Sequence, residues 1–176
     1  MAGERTILAA VDFSDVTDAV LEQAARLGRQ LRARVILLHV APDEPPVQAF
    51  EAGPGYVRDV LADHLRHRHA QLLQCRKKIE HRGLSVHALL TAGQPDEGIL
   101  RQARRFQPEM IVLGSHGHGR LYHLLTGSVS ASVLHDAPCP VLVVPSRMAA
   151  KPDYVSDSSA VRKTPLQDGA EAPRRP

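Results

Sequence analysis

The sequence predicts an α/β protein built on one open parallel sheet with helices on both faces. Three observations carry that reading. Five short apolar runs, β-branched in part and bounded by Gly, Pro or charged residues, have the composition of strands covered on both sides. Between them lie stretches whose apolar residues recur at helical spacing. Strand and helix alternate from the start of the chain, an order that calls for right-handed crossovers rather than hairpins.

The first strand runs from Arg5 to Val11. Ser14 or Asp15 is the expected N-cap of the helix that follows, with Val20, Ala24, Leu27 and Leu31 on its core face. Arg34 to Val40 forms the second strand. The next stretch, Ala41 to Tyr56, holds four prolines and two glycines, is read as irregular, and is long enough to be functional. A long helix from about Val57 to Arg82 places Val57, Leu61, Leu65, Leu72 and Ile79 at core spacing and stops at Gly83. Leu84 to Thr91 is the third strand. The third helix opens at Gly93-Gln94-Pro95-Asp96-Glu97, with proline in the first turn and acids at the positive end of the dipole. Its core residues are Ile99, Leu100, Ala103 and Phe106. Met110 to Leu113 is the fourth strand, Val129 to His135 the fourth helix, and Val141 to Val144 a fifth strand flanked by Pro140 and Pro145. From Arg147 to Pro176 the chain is rich in Pro, Ser, Asp, Ala and Arg without apolar period and is expected to be a disordered tail. The expected division is therefore a folded domain over 1–146 and a tail over 147–176.

At 176 residues the chain suffices for one well-buried domain. Aromatic residues make up 3% and Trp is absent, which leaves few platforms for stacking bases, and a net charge of +3 is too slight to argue for polyanions. Nucleic acid is not an expected partner. No apolar run approaches bilayer length, and Met1 to Arg5 leads straight into a strand, so a cytoplasmic protein without membrane contact is expected. Cys75 and Cys139 lack metal or redox spacing and read as reduced thiols.

The chemistry concentrates after the fourth strand. Gly114-Ser115-His116-Gly117, followed after nine residues by Gly127-Ser128, puts bare backbone N–H groups between a strand's carboxyl end and a helix's amino end. The first-turn N–H groups of that helix have no intrahelical partner, and its dipole favours an anion, so the pattern reads as a phosphate cradle. The G-x2-G-x9-G-S spacing, with Asp136-Ala-Pro-Cys-Pro-Val-Leu-Val-Val-Pro145 after it and Ile7-Leu-Ala-Ala-Val-Asp12-Phe-Ser14 at the start, resembles the ATP-binding branch of the universal stress protein family. The resemblance covers about residues 4 to 146.

It implies a Rossmann-like sheet, akin to the adenine nucleotide α-hydrolase fold, of strand order 3-2-1-4-5 with its switch point between strands 1 and 4. It also implies ATP as ligand, Mg²⁺ accompanying the phosphates, and a homodimer built on Val141 to Val144. Asp12 would meet the ribose hydroxyls and lie near the metal, a role that does not exclude its also capping the first helix. By resemblance the main chain of Val40 meets the adenine edge, Leu113 and Gly114 line the nucleoside, and Gly117, Gly127, Ser128, Val129 and Ser130 hold phosphates. Ala10 stands where many relatives carry proline, which bears on the rigidity of the Asp12 turn. His118 and His116 are either phosphate neighbours or solvated loop; with His123 they lack the carboxylate or Cys that would complete a metal set. His64, His67 and His69 lie on the second helix among Arg66, Arg68, Arg76, Lys77 and Lys78, a basic run read first as solvated surface and second as a docking patch for an acidic regulatory partner.

No Lys follows Gly127, so the loop is not a Walker A motif, and hydrolysis is expected to be slow or absent. The expected role is ATP-dependent regulation in a stress response, with no catalytic residues assigned. Two alternatives stand beside it: a slow ATPase or adenylating enzyme of the related α/β class, and an interaction module with a vestigial site.

Overall fold

The computed structural model describes residues 4–42, 54–115 and 128–145, with side chains of the second helix described from residue 59. Strands and helices alternate as β1 (Thr6–Ala10), α1 (Thr17–Leu31), β2 (Arg34–Ala41), α2 (Pro54–Glu80), β3 (Val86–Ala92), α3 (Pro95–Phe106), β4 (Met110–Gly114), α4 (Ser128–Asp136) and β5 (Val141–Val144). The five strands form one parallel sheet of order β3-β2-β1-β4-β5, as the resemblance implied. The expected tail over 147–176 lies outside the described residues.

Strand alternation divides the core in two. Ile7, Ala9, Val11, Val35, Leu37, Val86, Val112 and Val144 point toward α1 and α2, where Val20, Ala24, Leu72, Cys75 and Ile79 meet them. Leu8, Ile36, Leu38, Val40, Ile111 and Leu113 point the other way, against Ile99, Leu100 and Ala103 of α3 and Val133 of α4. Both faces of β1 and β2 are covered, which is why their sequences are continuously apolar.

Three element details differ from expectation. The first turn of α2 reaches into the proline-rich stretch: Pro54 starts the helix, a position where a missing N–H costs nothing. The core face of α1 is broader than the single stripe expected, because the helix packs on the sheet and also against α2 beside it. Small residues Ala24, Ala25 and Gly28 are buried there, and the bulkier Leu27 and Leu31 are only partly so. The N-cap position of α1 is Val16 rather than Ser14 or Asp15. Ser14 accepts the Thr17 N–H with its carbonyl instead.

Gly98 of α3 faces Val40, and a Cβ built on it would stand 2.8 Å from both Val40 methyl groups. Ala in place of glycine gains about 1 kcal/mol of helix propensity, whereas crowding a buried β-branched side chain costs roughly 1–3 kcal/mol. Gly98→Ala is therefore expected to lower stability by about 1 kcal/mol, read as a lower urea midpoint at unchanged slope. A raised midpoint would show that Val40 has room to yield.

Candidate functional site

The crossover from β1 leads to β2 and the one from β4 leads to β5, on opposite sides, so the chain diverges at the carboxyl ends of the two central strands. Four pieces of backbone meet around that crevice: the Val11–Ser14 turn, the end of β2, Gly114–Ser115, and the amino end of α4.

The turn after β1 is fixed locally. Asp12 Oδ1 accepts from the Ser14 N–H at 3.1 Å and from the Ser14 hydroxyl at 2.6 Å. This is an Asx turn, the local form of the capping role, and it uses one carboxylate oxygen. Oδ2 takes no hydrogen bond among the described residues. Between them Phe13 sits at φ 63°, a left-handed conformation that costs a bulky residue on the order of 1–3 kcal/mol. The imidazole of His39, 4% exposed, meets the turn from β2: Nδ1 lies 2.7 Å from the Val11 carbonyl and its ring centroid 4.3 Å from that of Phe13. A carbonyl only accepts, so Nδ1 carries the hydrogen. Nε2 is buried with no partner among the described residues. Burial lowers the His39 pKa; the Val11 carbonyl opposes that shift, Arg68 adds to it, Asp12 opposes it and His64 adds to it.

Gly114 was expected to let a ligand approach the backbone. Its φ is not positive, and the space it leaves is already taken: a Cβ would stand 2.4 Å from Val16 Cγ1. Gly114 is thus required by packing between β4 and the start of α1. Ser130, expected at the phosphates, donates its hydroxyl to the Gly114 carbonyl at 2.8 Å and is 4% exposed. Only its main-chain N–H, with those of Ser128 and Val129, remains in the open first turn of α4. Ala10 ends β1 opposite Leu38, partly buried. The side chains of Val40 and Leu113 belong to the core, which leaves their main chain for any role at the rim. Gly117, His118 and Gly127 lie outside the described residues, as do His116 and His123. Among the described residues no group of three His, Cys, Asp or Glu could hold a metal, and no helix is long and apolar enough to cross a membrane. Cys75 and Cys139 are unbridged, and burial pushes both thiols up.

The family model for the universal stress protein family matches residues 4–145. The chain belongs to that family. This universal stress protein is 29% identical over 143 residues to universal stress protein YxiE of Bacillus subtilis, covering 78% of this chain and 97% of the relative. In fold it is similar to protein MJ0577 of Methanocaldococcus jannaschii, at TM-score 0.70 and 26% identity, over 80% of this chain and 95% of that one. A universal stress protein of Archaeoglobus fulgidus solved in complex with dAMP superposes at TM-score 0.59 and 23% identity, over 81% and 98%.

The sequence reading of this universal stress protein passed over His39, Phe13 and Arg68. Arg68 belongs to the run taken as solvated, yet its guanidinium stands 5.7 Å over the Phe13 ring and its Nε lies 3.3 Å from His64 Nε2. A lone histidine in the apolar strand Val35-Ile-Leu-Leu-His-Val-Ala41 is the one sequence signal that marked the cluster.

Proposed function

We propose that this universal stress protein binds an adenine nucleotide, ATP with Mg²⁺, at the carboxyl edge between β1 and β4, and acts in the cytoplasm as a homodimeric regulator in a stress response without efficient catalysis. The observation that carries the reading is the Asp12 carboxylate, half spent on its own turn with Oδ2 left over, across the switch point from the open first turn of α4. Oδ2 suits ribose hydroxyls or a phosphate-bound cation, and three first-turn N–H groups suit phosphate oxygens. The core-facing side chain of Val40 leaves its main chain to meet the adenine edge. A bound Mg²⁺ would neutralise phosphate charge.

Three to four charge-assisted hydrogen bonds at roughly 1.5–3 kcal/mol each match the ~8 kcal/mol of a micromolar ligand before association costs. Binding alone is therefore within reach of these groups. The dAMP complex of the Archaeoglobus protein supports the ligand class. The edge strand β5 supports the dimer: Val141, Leu142 and Val143 are only partly buried, with no sixth strand beside them among the described residues.

Calorimetric titration tests the ligand. ATP is expected to bind with micromolar affinity, and Asp12→Asn to weaken it roughly tenfold. The amide oxygen can still accept both Ser14 bonds, so the turn is kept and only the second oxygen is changed. The loss should be smaller for dATP, which lacks one hydroxyl. No heat with ATP, and no nucleotide in the mass spectrum of the purified protein, would reject the reading.

A further inference from the structure

We propose that His39 is a positioning residue for the nucleotide site: its Nδ1–H grips the Val11 carbonyl and so fixes the turn carrying Asp12 against β2. The proposal rests on the reading of Asp12 as a nucleotide contact. The β1–β2 register ends at Ala10↔Leu38. One more main-chain bond follows, from the Val11 N–H to the Leu38 carbonyl at 2.9 Å, and past it the tie from β2 is a side chain, His39, at 2.7 Å. The next residues are Asp12 and the left-handed Phe13, so the turn takes up an unfavourable conformation where the ladder stops. The imidazole meets both needs, one through its donor and the other through the ring contact with Phe13. The Arg68 guanidinium of α2 also lies over the Phe13 ring.

The same burial makes the grip a property of the neutral ring. Nε2 has no acceptor among the described residues, and the charged or titratable groups acting on the ring are Asp12 on the turn and His64 and Arg68 on α2. A second proton would be a buried cation beside a guanidinium. With the folded pKa lowered, the closed turn is fully stable above the unfolded value of about 6.5 and loses stability as pH falls below it toward the lowered one.

The test compares the parent, His39→Asn and His39→Leu. Asparagine can present an amide N–H near the Nδ1 position and never charges; leucine fills similar space without a donor. At about pH 7.5 the leucine protein is expected to bind ATP roughly tenfold more weakly, and the asparagine protein to recover most of that loss. On acidification to about pH 5.5 the parent should weaken more steeply than His39→Asn; the nucleotide's own phosphate titration is common to both. In nucleotide-free protein, hydrogen exchange at the Ser14 amide should quicken in the leucine variant and stay near parental in the asparagine one. Parental affinity in His39→Leu, or equal loss in both variants, would overturn the proposal. Where the parent takes up no ATP at all, the ligand reading fails by itself, and the Ser14 amide still decides whether His39 fixes the turn.

Discussion

Gly114→Ala will destabilise the fold by roughly 2–3 kcal/mol, near the top of the range for an overpacked core. The added methyl would stand 2.4 Å from Val16 Cγ1, inside any tolerable contact. Val16 cannot swing away: it is β-branched, 1% exposed and the N-cap residue of α1. Relief requires the start of α1 to shift from β4, and the Asp12 turn lies immediately before it. The check is a double-mutant cycle in urea. Val16→Ala costs stability alone by leaving a void, but in the Gly114→Ala background it should recover part of the loss, giving a favourable coupling of at least ~1 kcal/mol between the two sites. An unchanged midpoint in Gly114→Ala with loss of ATP binding alone would return this glycine to the ligand-approach role that its place in the motif suggests.

Val143→Pro is expected to convert the proposed dimer to monomers while sparing the monomer's sheet. The β4–β5 bonds fix which groups are outward: the Ile111 N–H goes to the Pro140 carbonyl and the Ser115 N–H to the Val144 carbonyl, so residues 140, 142 and 144 face β4 and residues 141 and 143 face away. Proline at 143 therefore removes an outward donor and places a ring where a second copy's strand would pair. Pairing of two such edges through a two-fold axis would also cover the partly exposed Val141 and Val143. Light scattering should halve the mass of the variant, whereas Leu142→Pro, on the inward register, should unfold the protein instead. A Val143→Pro protein that keeps the parent's mass, or a parent that is monomeric at all accessible concentrations, would remove β5 from the interface.

The architecture was legible because burial on both faces writes itself into composition: Ile7 to Ala9, Val35 to Leu38 and Ile111 to Leu113 have no solvent side to mark with polar residues. Boundaries were less so, since Pro54 serves a helix start as readily as a loop. At the site, the position of Asp12 followed from the strand that precedes it, while the division of labour between its two oxygens depends on Ser14 and on the turn geometry. Gly114 shows the limit most clearly. A motif names the residue, but only the packing of α1 against β4 reveals that its missing side chain makes room for Val16. His39 stands out in its strand as a lone polar residue, but its role does not, because its partner carbonyl is 28 residues away in sequence.

The switch point also divides the chain in time. β1, β2 and β3 are complete by Ala92, and α1 and α2 cover one of their faces, before Met110 leaves the ribosome. Until then the β4-facing edge of β1, an apolar strand at the centre of the finished sheet, has no neighbour. Three register pairs, Ile7↔Met110, Leu8↔Ile111 and Ala9↔Val112, later close this seam. A nucleotide held, as proposed, between Asp12 and α4 would span the same seam, one end on the half made early and the other on the half made late. Its binding free energy would add directly to the cohesion of the two halves. Occupancy of the proposed site would then bear on how readily this seam opens.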